Sequence, residues 1–213
     1  MKSTPIDPVN VTDFNRGTNE LQAFWLFCMF VAGKNSDYAS RCLSRLIHAA
    51  KLGEQTPFDY FRSIGERRVR NALVASRVGQ YTRLTKGIMH SLDLDLATCE
   101  LKDLLAIHGV GNKTARFFLL HTRKGCEYAV LDTHILSWLR DRGVHDVPDS
   151  TPTNNKEYKR LERAFRYLSR LAYPGLSDSK IDLLIWSGES GRLSGDEYFD
   201  MTHPFESRDG VDD

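Results

Sequence analysis

No apolar run in this chain approaches the ~18 residues that a membrane-spanning helix requires. The longest candidate, Leu21–Val31, is broken by Gln22. No hydrophobic segment follows Met1-Lys2-Ser3-Thr4-Pro5, so no secretory leader is expected. The protein should remain intracellular, in the cytoplasm or on the nucleoid, or in the nucleus of a eukaryote. Cysteine is sparse: Cys28, Cys42, Cys99 and Cys126 stand singly, and no Cys-x-x-Cys occurs. That spacing fits neither a zinc ribbon nor an iron–sulfur loop. No cysteine-held metal, iron or zinc, and no cofactor is therefore expected, and the thiols should be reduced and mostly buried. Alternating apolar and polar residues of the strand type are almost absent, as are repeats and low-complexity blocks.

What is present is ordinary globular composition over 213 residues, 41% hydrophobic and 27% charged. A chain of this length buries roughly 70% of its unfolded surface and can carry a core without staples. The formal net charge of +1 hides an asymmetry. Residues 191–213 hold seven acids and two bases, which leaves residues 1–190 with 27 bases against 21 acids. Two stretches concentrate the bases. Tyr60–His90 has seven (Arg62, Arg67, Arg68, Arg70, Arg77, Arg83, Lys86) against Glu66 alone. Thr151–Tyr173 has six (Lys156, Lys159, Arg160, Arg163, Arg166, Arg170) against Glu157 and Glu162. Such stretches suit a polyanion-facing surface, although helix faces are often Lys/Arg-rich for solvation alone.

Periodicity predicts an all-α protein of about ten helices. Residues 1–17, with two prolines and no periodicity, read as an extended arm. Asn19–Ala32 is apolar nearly all round, as in a central buried helix. Ser36 is placed to cap a second helix to about Lys51, with Tyr38, Cys42, Leu43, Leu46 and Ile47 on one face. A short turn at Pro57–Arg62 precedes a helix over Gly65–Arg77, with Val69, Leu73 and Val74 inward. Further helices are expected at Gln80–Leu92, Leu101–Ile107, Lys113–Thr122, Thr133–Arg142, Lys156–Ala172 and Asp178–Gly188. Residues 18–190 form the main domain, and the acidic tail from residue 191 should be loosely ordered or draped over the surface.

One segment carries chemistry. In Leu101–Leu120 two helices flank His108-Gly109-Val110-Gly111-Asn112. The glycines permit positive φ and leave no side chain to block close approach. Amides at the turn and at the start of the next helix then face outward, a seat for phosphate. By itself Gly-x-Gly serves a tight turn equally well. Lys113 follows in the first helical turn, where the positive end of the helix dipole disfavours an ammonium and, in a site that is also partly desolvated, favours a neutral amine. Nineteen residues on, Asp132 stands at the start of the next helix, an ordinary capping position.

Together, Gly109-Val110-Gly111-Asn112-Lys113-Thr114-Ala115 and Val130-Leu131-Asp132-Thr133-His134 resemble the helix-hairpin-helix DNA glycosylases. The resemblance extends over most of residues 19–188, including a late Asp-x-x-x-Trp, Asp182 to Trp186. The Lys-Thr-Ala and Asp-Thr-His wording is similar to endonuclease III. That branch's C-terminal four-cysteine cluster is missing, and in length and ending the chain is nearer the compact, archaeal-like 8-oxoguanine DNA glycosylase/AP lyases. The acidic tail departs from that compact pattern.

The resemblance implies two subdomains with the hairpin at a DNA-binding cleft, and a monomer acting on double-stranded DNA that contains a damaged base or an abasic site. It implies Lys113 as the nucleophile on the sugar and Asp132 as its electrostatic partner. His108, Gly109, Val110, Gly111 and Lys113 would form the phosphate grip, with Trp186 and Asp182 at the base pocket. Two other functions remain open: an endonuclease III-like glycosylase for another modified base, and a non-catalytic hairpin module that only binds DNA.

Overall fold

The computed structural model describes residues 6–189 and Gly191. The acidic segment 192–213 and residues 1–5 of the arm lie outside them. The described residues contain nine α-helices and no strand: α1 (Thr18–Phe30), α2 (Ser36–Ala50), α3 (Pro57–Ser76), α4 (Tyr81–Ser91), α5 (Leu101–Leu105), α6 (Asn112–Thr122), α7 (Thr133–Asp141), α8 (Asn155–Ala172) and α9 (Asp178–Glu189). The all-α expectation holds. No helix among the described residues is long and apolar enough to cross a membrane. The chain divides into two compact units between Tyr128 and Ala129.

In the first unit α1 is the central element, packed by α2, α3, α4 and α6. Its residues Phe24 to Phe30 are all at most 1% exposed, which explains a sequence with almost no polar face. Burying each such side chain stabilises the fold by roughly 1.5–3 kcal/mol before entropy is counted. The Trp25 ring meets Phe118 of α6 edge-on at 5.2 Å, and its indole N–H donates to Ser91 Oγ at 2.9 Å. The arm is tied down where it is described. Asp13 N donates to His121 O, Arg16 donates to the carbonyls of Val11 and His121, and Ser40 Oγ donates to Ile6 O.

Three local expectations are corrected. The cap of α2 is Asn35, whose side chain accepts from Tyr38 N at 3.1 Å, while Ser36 is the first helical residue. Both residue types cap well, and the one in extended conformation reaches the third amide. Tyr38 turns outward, its hydroxyl donating to Arg77 O, and Ala39 takes the buried position. Val74 is 47% exposed, because Val69 and Leu73 share the inward face and the next residue lies about 100° round the helix. The expected break before Gly65 is real: α3 kinks there, with Gly65 at φ 74°, ψ 166°.

The second unit packs α7, α8 and α9 about a core including Leu136, Trp138, Phe165, Ile181 and Ile185. Trp138 and Phe165 meet at 5.3 Å. Asp178, buried at the start of α9, accepts from Arg166 and Arg170 of α8 and ties the two helices together. All four thiols are free; Cys28, Cys42 and Cys99 are buried and Cys126 is half-buried.

Candidate nucleic-acid interface and active site

The turn between α5 and α6 is built from the inside. Leu104, Ile107 and Val110 are buried, so the connection is anchored by an inward side chain at every third residue. Val110 N donates to Ile107 O at 3.1 Å, which closes the turn. Gly109 adopts φ 74°, a region that favours glycine. Gly111 does not share that conformation: at φ −107°, ψ 178° it is extended, and its role differs from the one expected. It is the N-cap of α6, where a glycine offers no side chain to the first-turn amides, and a Cβ built on it meets nothing within 4 Å. The first amides of a helix lack intrahelical partners, and the exposed Gly111 puts the positive end of the α6 dipole at the surface.

His108, Gly109 and Gly111 are exposed, and Val110 faces inward at 8% exposure. Lys113, half-buried, is the second residue of α6. Beside it Asn112 is buried and its Oδ1 accepts from Arg116 at 2.6 Å.

Sequence reasoning missed what holds this turn in place. Arg83, Gly87 and His90 recur at i, i+4 and i+7 along α4, one face of a helix. Arg83 donates to Gly109 O at 3.1 Å, to Met29 O at 2.9 Å and to Gln80 Oε1 at 2.7 Å. A Cβ on Gly109 would collide with Arg83 Cγ and lie 3.1 Å from its Cδ. A Cβ on Gly87 would lie 3.0 Å from His108 O. His90 Nδ1 accepts from His108 N at 3.4 Å. Burial lowers the pKa of the Arg83 guanidinium from its ordinary value, and all three of these acceptors are neutral oxygens. Only the 3.6-residue spacing of a basic, a small and an imidazole side chain could have flagged this face.

In the second unit Asp132 caps α7 as expected. Its Oδ1 accepts from His134 N and Ile135 N, both at 3.0 Å, and the residue is 8% exposed. The segment leading to it is pinned from three sides. Tyr158 bridges the backbone of Ala129 and Leu131, Thr151 Oγ1 donates to Leu131 O, and Glu162 Oε1 accepts from Ala129 N. On α9, Asp182 is buried and Trp186, one turn later, is half-buried. The Trp186 ring meets the His134 ring edge-on at 6.4 Å. The hairpin residues and Lys113 thus belong to the first unit, and Asp132, Asp182 and Trp186 to the second.

The solved 8-oxoguanine glycosylase/lyase of Methanocaldococcus jannaschii, in complex with 15mer DNA containing 8-oxoguanine, is similar in fold. The TM-score is 0.65 at 19% identity, over 84% of this chain and 85% of that one. A second structure, of the 8-oxoguanine DNA glycosylase from the same organism, gives 0.64 at 18% identity, over 84% and 82%. The 8-oxoguanine DNA glycosylase of Thermotoga maritima gives 0.60 at 19% identity, over 79% of each chain. No curated protein matches the sequence. The family model described as 8-oxoguanine DNA glycosylase matches residues 10–172, most of the chain. With a glycine hairpin opening α6 and an all-helical fold around it, the protein belongs to the 8-oxoguanine DNA glycosylase family.

Proposed function

We propose that the chain is a bifunctional DNA glycosylase/AP lyase that excises 8-oxoguanine from double-stranded DNA in base-excision repair, acting as a monomer whose chemistry uses no iron, zinc or cofactor. The observation that carries the reading is the position of Lys113, one residue into a helix whose glycine cap leaves its amino end open. Pure DNA binding needs the amides and the dipole but not an amine at that place.

The target base must leave the stack, at a cost of a few kcal/mol. The backbone of Gly109, Gly111 and Lys113 grips a phosphate and fixes the register of the strand, while the amides of His108 and Val110 are taken up by His90 and Ile107. The Lys113 amine attacks C1′ of the extruded nucleotide, and the bond from C1′ to the base breaks as the base departs with the electron pair. Loss of a proton from nitrogen and opening of the sugar ring give a Schiff base. The imine acidifies C2′; removal of a proton there expels the 3′ phosphate by β-elimination and cuts the strand. Asp132, with one oxygen committed to the α7 amides, supplies negative charge to a sugar that becomes positive in the transition state. Trp186 offers an aromatic wall for the extruded purine, with Asp182 behind it.

The test is borohydride trapping on duplexes carrying 8-oxoguanine, an oxidised pyrimidine, or an abasic site. A covalent complex and strand cleavage on the 8-oxoguanine duplex are expected. Trapping only on the pyrimidine lesion would favour an endonuclease III-like specificity, for which the Lys113-Thr114-Ala115 wording speaks. DNA binding with no trapped species on any duplex would reduce the protein to a binding module.

A further inference from the structure

We infer that Arg83 is a positioning residue for the hairpin: it locks the peptide plane after Gly109 so that the Gly109 carbonyl stays turned away from a DNA phosphate. The inference rests on the hairpin being the phosphate seat. A trans peptide points its N–H and C=O in opposite directions, so tying both ends fixes the plane. The peptide from Gly109 to Val110 is tied at both: Val110 N donates to Ile107 O, and Gly109 O accepts from Arg83. The peptide from Ile107 to His108 is tied likewise, its carbonyl by Val110 N and its amide by His90 Nδ1. Three of these four ties cost little to understand, because local turns and neighbouring helices commonly supply them. The fourth employs a partly buried guanidinium that also holds Met29 O at the end of α1 and Gln80 at the start of α4.

That arrangement answers a specific weakness. A glycine at positive φ has no Cβ to oppose rotation of the adjoining peptide, so the plane can turn and aim its oxygen outward. An outward carbonyl at the mouth of a phosphate site repels the anion and competes with the amides. Arg83 prevents the turn twice over. Its guanidinium holds the oxygen inward, and its aliphatic stem fills the space where a Gly109 side chain would lie. The fork is essential, since one planar group reaches Gly109 O and Met29 O together, which a lysine ammonium on a single stem does not reproduce.

The experiment compares the full chain with Arg83→Gln, Arg83→Lys and Gly111→Glu, using a labelled duplex that holds a tetrahydrofuran abasic analogue. Affinity is read by anisotropy across a salt series, chemistry by single-turnover cleavage of an 8-oxoguanine duplex at saturating enzyme, and folding by thermal melting. Arg83→Gln should weaken binding roughly tenfold or more, with the saturated rate within about threefold of wild type. Arg83→Lys, which keeps the stem and the charge and is the variant least able to disturb folding, should bind nearly as weakly as the glutamine. The salt slope should stay unchanged, because Arg83 acts through Gly109 and not on the phosphate. Arg83→Lys binding like wild type, or a slope shallower by about one unit in Arg83→Gln, would overturn the inference by making Arg83 a plain charge or a direct contact. Gly111→Glu sets a carboxylate into open space at the cap of α6 and tests the seat itself. If it weakens binding while the Arg83 variants stay within twofold of wild type, Arg83 loses its role and the seat stands. If Gly111→Glu binds normally, the seat falls first.

Discussion

Tyr158 holds both ends of one short segment: its hydroxyl donates to Ala129 O at 2.9 Å and accepts from Leu131 N at 3.2 Å. Asp132 is the next residue, so a side chain on α8 sets where the α7 cap begins. Tyr158→Phe should leave two buried backbone groups unpaired and destabilise the second unit by about 1–3 kcal/mol. Urea unfolding with unchanged m-value checks this. Cleavage of an 8-oxoguanine duplex should slow in the same variant, because the Asp132 carboxylate loses its fixed approach.

Asp132 has two separable duties, and a pair of variants parts them. Asparagine caps a helix about as well as aspartate, whereas alanine costs about 1 kcal/mol. Asp132→Asn should therefore melt close to wild type and Asp132→Ala lower. Both should cut the single-turnover rate, on the order of a hundredfold, if the negative charge stabilises the transition state. An asparagine variant that cleaves at the wild-type rate would leave Asp132 as a cap alone.

Lys113→Gln should abolish base release, strand cleavage and the borohydride-trapped species together, with duplex affinity within severalfold of wild type. Electrophoresis after borohydride reduction reads the trapped species directly. A mutant that traps at the wild-type rate would place the nucleophilic amine elsewhere.

The basic stretches make a quantitative claim about salt. Arg67, Arg68, Arg77 and Lys86 in the first unit, and Lys156, Lys159 and Arg163 in the second, are exposed. Arg62 is engaged by Asp59 and Asp93, Arg160 by carbonyls of His145 and Asp146, and Arg166 and Arg170 by Asp178. Three to six phosphate contacts would give log affinity against log salt a slope of about −3 to −5. Titration of an undamaged duplex measures it, and a slope shallower than about −1 would make these basic stretches ordinary solvated faces.

Much of this was written in the sequence at short range. Helix positions followed from the 3.6-residue period, and the cap at Asp132 from a polar residue between an apolar run and an amphipathic helix. The errors were also local. Asn35 and Ser36 are adjacent residues of equal capping ability, and only the backbone decides between them. Val74 extends an apolar run in sequence but lies round the helix from Leu73. The glycines of the hairpin looked alike, yet Gly109 needs its conformation and Gly111 its vacancy. The supports of the site were illegible for a different reason. Tyr158 and Thr151 act by bonds to distant backbone atoms, and such bonds impose no period and no motif; Arg83 and His90 share one face of α4, but that spacing does not name the backbone they reach.

Burial of the thiols has a consequence for the conditions under which such a protein works. Desolvation raises the pKa of Cys28 well above the ordinary thiol value, pushes Cys99 up to about 11, and raises Cys126 as well. At pH 7.5 a thiol of pKa about 11 is ionised in roughly one molecule in three thousand, and peroxide attacks the ionised form. Oxidants that convert guanine to 8-oxoguanine thus meet little ionised sulfur at Cys28 and Cys99 in the conditions that create the family's lesion.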